Sequence, residues 1–365
     1  MSGQESVRSI PLRVFLILCG YLGSRSIEGG ILPLASTVPL IDVRSPREFA
    51  KGHIPGAVNI PLFSDEERAE VGTIFKQESR EKAILKGLEF AGTKLPSFIE
   101  RVLQLLPERM PDAPEGEPPT VAMYCKTGGM RSSSVAWLFA LYGIRVYVLD
   151  GGYKGFRQHA LSLLDKEHPL MVLGGKTGSG KTEVLRMLAY QGLPVLDLEY
   201  MARHRGSAFG SVPGEEQPST EHFENTLAVA LSQCEGEKAI WVEDECENLG
   251  TINLPRQFFH NLRKAPVVEL EVTHQERLNR VLSEYGMLPR ERMAESLDRI
   301  KKRLGGLAHK EAHACLERDD LACLAEILLG YYDKAYNRQL EGRNVISRVF
   351  ASNAADAAQQ LDTRK

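Results

Sequence analysis

The sequence predicts two parallel α/β domains in succession, the second ending in a helical part. Three observations predict this. The chain has 365 residues, more than one average domain needs. Short apolar runs alternate with helix-compatible stretches in both halves, the pattern of βαβ units. Gly175-Lys-Thr-Gly-Ser-Gly-Lys181-Thr182 follows one such run and opens a helix, the context a phosphate-binding loop requires.

In the first half, Val38–Arg44 and Val121–Tyr124 read as strands, Asp65–Gln77 and Val135–Tyr142 as helices, and Val146–Leu149 as a further strand. Gly52–Pro61 has a turn-and-strand pattern, and Pro107–Thr120 is a loop rich in Pro, Glu and Gly. A linker is expected near Lys166–Pro169. The second half starts with the strand Leu170–Gly174 and the helix Glu183–Tyr190. It continues through strands at Val195–Asp197, Ala239–Val242 and Val267–Leu270. Beyond His274 the pattern becomes helical and charged through Glu284, Ser296–Leu304 and Leu321–Leu340. The expected boundaries are a leader at 1–30, domains at 31–166 and 167–343, and a tail at 344–365.

Composition excludes several classes. At 43% hydrophobic and 25% charged the chain is ordinary globular. With 45 Lys plus Arg against 48 Asp plus Glu, a net charge of −3 makes it no uniform polycation, so a nucleic-acid partner has to be met by local charge. Six scattered cysteines, none in a CxxC pair, argue against a zinc ribbon or a disulfide framework and fit a reducing compartment. No apolar run is long enough to span a bilayer. Val14–Leu22 after Arg8 and Arg13 loosely resembles a signal-peptide core but lacks a small-residue cleavage site. The expectation is a cytoplasmic protein without a membrane partner, with an organelle leader at 1–30 as an alternative.

Two loops carry chemistry. In the first, the glycines Gly175, Gly178 and Gly180, with Ser179, let backbone N–H groups face a di- or triphosphate at a helix N-terminus. Lys181 would neutralise the outer phosphates and Thr182 would hold a magnesium ion. Glu243 and Asp244, ending an apolar strand, are the acids expected to orient its water shell. In the second, Cys125-Lys126-Thr127-Gly128-Gly129-Met130-Arg131 joins a strand to a helix. Its backbone can encircle an anion beside the thiol, and the helix end with Arg131 favours thiolate, so Cys125 reads as a nucleophile or chalcogen carrier.

The first half resembles a rhodanese domain in Ile41–Phe49, Gly52–Pro61, the loop at Cys125 and Leu149–Tyr153. It departs in having five residues between Cys125 and Arg131, where sulfurtransferases usually have four; the longer loop makes a wider anion cradle. Rhodanese followed by P-loop resembles the tRNA 2-selenouridine synthase family from about Leu40 to Glu341. Matching stretches include Glu67–Thr73, Gly151–Lys154, Asp197–Glu199, Arg203–Gly210, Glu243–Glu245, Ile300–Gly305, Tyr331–Asp333 and Gln339–Glu341. The resemblance implies replacement of sulfur by selenium in wobble 2-thiouridine of tRNA, through an S-geranylated intermediate. Geranyl diphosphate and selenophosphate would be co-substrates, and an enzyme supplying selenophosphate a possible partner.

On that reading the Cys125 loop suits selenophosphate and the phosphate loop suits geranyl diphosphate. Arg203, Arg205, Lys301, Lys302 and Arg303 are candidates for tRNA phosphates, and Phe209 reads as core rather than a base-stacking platform. A P-loop ATPase or kinase with a regulatory rhodanese-like module is the alternative function, and the wide loop also suggests a phosphatase. His309-Lys-Glu-Ala-His313 lacks the glutamate placement of a zinc protease and reads as a surface helix, and Cys315 and Cys323 as core-lining thiols. No structural metal is expected.

Overall fold

The computed structural model describes residues 6–21, 38–106, 118–206, 216–286 and 288–362. The described chain divides into two compact units, one of residues 6–21, 38–106, 118–163 and 224–233, the other of the remainder.

In chain order the first unit contains β1 (Val7–Ile10), α1 (Leu12–Leu18), β2 (Leu40–Asp42), α2 (Pro46–Lys51), β3 (Val58–Asn59) and α3 (Asp65–Gln77). There follow α4 (Arg80–Gly92), α5 (Leu95–Leu105), β4 (Thr120–Tyr124), α6 (Met130–Leu141), β5 (Arg145–Leu149) and α7 (Gly152–Leu164). The strands form one parallel sheet in the order β1-β5-β4-β2-β3. Strand β4 is central and buried along its length, as expected of a parallel strand covered on both faces. Its Val121 and Met123 join Ile41, Val135, Phe139 and Val146 in the core. Helices α2 and α3 start on serine capping boxes, Ser45 with Glu48 and Ser64 with Glu67, which satisfy N–H groups at each helix start.

The chain continues with β6 (Leu170–Gly174), α8 (Lys181–Tyr190), β7 (Val195–Leu196), α9 (Leu198–Ala202), α10 (Thr220–Gln233, which from residue 224 on belongs to the first unit), β8 (Ile240–Glu243), β9 (Asn248–Leu249) and β10 (Ile252–Asn253). It ends with α11 (Arg256–Lys264), β11 (Val267–Glu271), α12 (His274–Tyr285), α13 (Arg290–Leu304), α14 (Gly306–Glu317), α15 (Leu321–Leu340), β12 (Val345–Phe350) and α16 (Ala354–Leu361). The second unit's parallel sheet runs β12-β11-β6-β8-β7, with β6 central, and β9 and β10 form a short antiparallel pair. Helices α12 to α15 have a core of their own around Leu297, Ala312, Leu324 and Leu328.

Several expectations are corrected. Residues 7–21, read as part of a leader, are folded: β1 pairs with β5, and Phe15, Leu16 and Cys19 are buried. Residues 22–30 of that segment lie outside the described residues. Residues 344–362, read as tail, supply an edge strand and a helix whose Ala357, Ala358 and Leu361 pack on Leu173 and Leu185. Helix α6 starts at Met130 rather than Val135, so the helix end stands directly against the cysteine loop. Residues 224–233 cluster with the first unit although they lie within the second in sequence. There Arg157 pairs with Glu224, and the buried Asn225 donates to the Tyr153 hydroxyl at 2.8 Å and the His53 carbonyl at 3.0 Å. Cys315 and Cys323 form a disulfide, with Cα atoms 5.8 Å apart; the turn at Arg318–Asp320 brings the end of α14 beside the start of α15. Glu284 lies in α12, as its helical pattern predicts; of the expected loop Pro107–Thr120, residues 107–117 lie outside the described residues and Thr120 already begins β4.

At the end of β2, Asp42 and Arg44 form a buried pair. Arg44 Nη2 meets Asp42 Oδ2 at 2.6 Å and the Gly52 carbonyl at 2.7 Å, and its guanidinium lies 3.7 Å from the Tyr153 ring centroid. Arg44→Ala leaves the Asp42 carboxylate buried and unpaired, so urea denaturation should report a loss of about 3–5 kcal/mol. An unchanged midpoint would contradict the pairing.

Candidate active sites

Both chemistry-bearing loops follow the central strand of their sheet. In open parallel sheets the carboxyl ends of strands at a switch in strand order form the ligand crevice. Strand β4 has β5 on one side and β2 on the other, and β6 lies between β11 and β8.

Cys125 stands at the carboxyl end of β4 and is 2% exposed. The Ser132 hydroxyl donates to its Sγ at 3.2 Å. Burial works against ionisation here, yet the Ser132 hydroxyl, the backbone N–H groups of Thr127 and Ser132, and the Arg131 charge together hold the thiol below its ordinary range. Thiolate is the form a nucleophile or chalcogen acceptor needs. The loop is braced from behind. Tyr153 and Lys154 N–H groups donate to the Cys125 and Lys126 carbonyls, both at 2.9 Å. Gly152, at φ 55°, lies so close that a Cβ would stand 2.4 Å from the Gly128 nitrogen and 2.5 Å from the Cys125 carbonyl. Only glycine permits that contact.

Around the thiol, Lys126 and Thr127 are exposed, Gly128 and Gly129 half-buried, and Met130 exposed beside Arg80. Arg131 is half-buried and pairs with Glu48 at 2.9 Å. Glu48 feels opposing effects: burial raises its carboxyl, and Arg131 with the Ser45 N–H and Arg68 brings it below the ordinary carboxylate range. Arg131 therefore reaches the thiol through its field while its side chain is tied to Glu48. Sequence reading singled out neither Ser132 nor Glu48 for these roles.

In the second unit, Lys181 Nζ donates to the Gly175 carbonyl at 2.9 Å, within the loop whose phosphate it would meet. The Ser179 hydroxyl is buried without a hydrogen-bond partner. Gly178 and Gly180 both adopt positive φ. Helix α12, not anticipated here, holds the loop: Arg277 donates to the Thr177 carbonyl at 2.8 Å and pairs with Asp333 at 2.9 Å. Arg280 donates to the Gly178 carbonyl at 2.8 Å.

Beside Lys181 and Thr182 stands a cluster of three carboxylates. Glu199, Glu243 and Glu245 each present an oxygen, all within 4.8 Å of one another, and Thr182 donates to Glu199 at 3.2 Å. Neither Glu243 oxygen has a hydrogen-bond partner. Burial first drives all three carboxyls up from their ordinary range; Glu243 further repels Glu199 and Glu245, and Asp197 repels Glu243. Asp244 is turned away, 2.6 Å from Arg343. Of the acids Glu243, Asp244 and Glu245 that end this strand in the sequence, the first and last face the site, Asp244 does not, and Glu199 joins them. Alternation along an extended segment puts residues 243 and 245 on one side and 244 on the other, a signal present in the sequence. Gly206, at φ 63°, approaches this cluster so closely that a Cβ would lie 2.9 Å from Glu199 and Glu245 oxygens. Hard oxygen donors with orphaned lone pairs fit a magnesium-class ion.

Among the tRNA candidates, Arg203 and Arg205 are exposed just before Gly206, and Arg203 caps α9 at φ 50° while donating to the Glu216 carbonyl at 3.3 Å. Lys301, Lys302 and Arg303 are exposed in the last turn of α13. Ser207, Phe209 and Gly210 lie outside the described residues. Among the described residues, no helix is long and apolar enough to cross a membrane.

A sheet with an anion-facing cysteine loop and a second with a phosphate loop define a rhodanese-like unit followed by a P-loop unit. Residues 30–159 match the rhodanese-like domain, and residues 168–365 match the tRNA 2-selenouridine synthase AAA domain. The tRNA 2-selenouridine synthase of Shewanella sediminis is 34% identical over 87% of this chain and 92% of its own length. That of Bordetella petrii is 34% identical over 89% and 92%, and that of Nitrosomonas europaea 40% identical over 68% and 63%. The chain belongs to the tRNA 2-selenouridine synthase family.

The acid cluster has a pH signature. Carboxyls raised in the folded state stabilise it below their unfolded pKa of about 4.3, and that contribution is lost as pH rises through the folded values. Metal-free protein should therefore melt at falling temperature as pH increases from about 5, and Mg2+ should restore stability. Glu243→Gln should flatten both dependences. Scanning calorimetry with and without Mg2+ checks this; a profile unchanged by Glu243→Gln would contradict it.

Proposed function

We propose that this chain replaces the sulfur of wobble 2-thiouridine in tRNA by selenium. The route runs through S-geranyl-2-thiouridine, with geranyl diphosphate and selenophosphate as co-substrates. One observation carries the reading: a chain of this family has two separate anion-facing loops, one with a thiolate-favouring cysteine and the other with a lysine.

In the first half-reaction the tRNA sulfur attacks C1 of geranyl diphosphate. The S–C bond forms, the C–O bond breaks, and diphosphate leaves with the electron pair. Backbone N–H groups of Gly178 to Lys181, with the Lys181 ammonium, oppose the charge that develops on that leaving group. Glu199, Glu243, Glu245 and the Thr182 hydroxyl would hold a Mg2+ ion, which when bound supplies further charge neutralisation of a diphosphate. In the second half-reaction selenium displaces the geranylthio group at C2 of the base, and hydrolysis of the Se–P bond yields phosphate. The Cys125 loop binds the selenophosphate anion through its N–H groups and the Arg131 field, and the thiolate stands beside the selenium. The tRNA backbone is met by Arg203, Arg205 and the Lys301–Arg303 turn, which makes affinity salt-dependent. A supplier of selenophosphate is the implied enzyme partner.

Loss of Lys181 removes one preorganised charge from the leaving group. Lys181→Ala should lower geranylation by roughly 30- to 900-fold, the equivalent of about 2–4 kcal/mol. The assay incubates the full chain with geranyl diphosphate and thiolated tRNA and quantifies the prenylated nucleoside by mass spectrometry. Wild-type geranylation by this variant would overturn the assignment of the phosphate loop. ATP hydrolysis without RNA, and no prenylated nucleoside from wild type, would favour a P-loop ATPase.

A further inference from the structure

Helices α13 and α14 bring together a cluster that the activity above does not use. His309 and His313 are one turn apart on α14, so their imidazoles share a face. Asp298 projects from α13 onto the same spot. Its Oδ1 lies 2.9 Å from His309 Nε2 and 3.2 Å from His313 Nε2, and one donor atom of each residue falls within 4.8 Å of the other two. The helix lies at the surface as the sequence predicts, with Lys310 and Glu311 exposed, but its His309 faces inward and is only 8% exposed. Sequence spacing offered the two histidines but not the aspartate, which comes from another helix.

The geometry suits a metal. Donors on a tetrahedron of about 2.0–2.1 Å radius stand about 3.3–3.4 Å apart, so a shift of a few tenths of an ångström in the Asp298 carboxylate from the 2.9 and 3.2 Å seen here would admit an ion. Both histidines present Nε2 to the same Asp298 oxygen. The scaffold is rigid, since Leu297 and Ile300 of α13 pack with Ala312 and Leu316 of α14 in the core beneath. An entry path exists, as the Asp298 side chain is 63% exposed and that of His313 29%. Two imidazoles and one carboxylate select a first-row transition ion over Mg2+ or Ca2+.

We propose that Asp298, His309 and His313 bind one divalent transition-metal ion of the zinc class, with the remaining coordination open to water. The ion clamps α13 to α14 one turn before the basic residues Lys301, Lys302 and Arg303, and so fixes the direction in which that turn is presented.

The test uses the full chain after chelator treatment, with excess Mg2+ present to occupy the carboxylate cluster at Glu243. Co2+ is titrated as a spectroscopic probe and then displaced by Zn2+. One equivalent of Co2+ should develop a visible band, Zn2+ should abolish it, and Zn2+ should raise the melting temperature. His313→Ala and Asp298→Asn alter partly or largely exposed groups and should keep the native circular dichroism spectrum. Each should weaken Co2+ binding at least about tenfold, whereas His260→Ala should leave it unchanged. If wild type develops no band, or both variants bind Co2+ as wild type does, the three residues are a hydrogen-bonded staple between helices and the proposal fails.

Discussion

Both reactive loops depend on one constraint: a central parallel strand must end, and the chain must turn into a helix with its N–H groups left over. In β4 to α6 N–H groups of Thr127 and Ser132 meet a buried thiol; in β6 to α8 they belong to the loop proposed to take a diphosphate. A helix N-terminus already favours negative charge. Each loop then adds what its chemistry needs, a thiol with the Ser132 hydroxyl in one, and Lys181 with three carboxylates in the other. The surrounding structure serves to hold these turns still. Gly152, Tyr153 and Lys154 brace the first from behind, and Arg277 and Arg280 tie down the second through its carbonyls.

The two loops hold opposite electrostatic balances. The surroundings of Cys125 overcome burial and favour the charged form. In the acid cluster burial and like charge combine to disfavour it. The first is thus poised by its own surroundings, while the second calls for a cation to compensate it. That difference is what the proposed reaction needs, a nucleophile at one loop and a diphosphate at the other.

Much of this was legible in the sequence where a local rule sufficed. The glycine-rich turn after Leu170–Gly174 and the cysteine turn after β4 are local, because backbone conformation and neighbouring residues define them. The helix from about Asp65 to Gln77 is legible in the sequence, and Ser64 with Glu67 closes a capping box at its start. What escaped depends on residues distant in sequence. Ser132 was hidden because the helix was placed to begin at Val135, Glu199 because it reaches the cluster from a different segment, and Asp298 because it comes from a different helix. The strand at Val7–Ile10 was masked by its resemblance to a leader; its pairing partner, β5, lies over a hundred residues away. Strand β12 was missed for the same reason, since its partner β11 precedes four helices.

One variant tests the proposed division of labour between the two loops. Cys125→Ala removes the thiol, keeps the loop backbone and leaves the phosphate loop untouched. Nucleosides are digested from tRNA incubated with this variant, geranyl diphosphate and selenophosphate, and are quantified by mass spectrometry beside wild type. The account predicts that S-geranyl-2-thiouridine accumulates and 2-selenouridine does not form. Selenouridine at the wild-type rate, or loss of geranylation together with selenation, would contradict it.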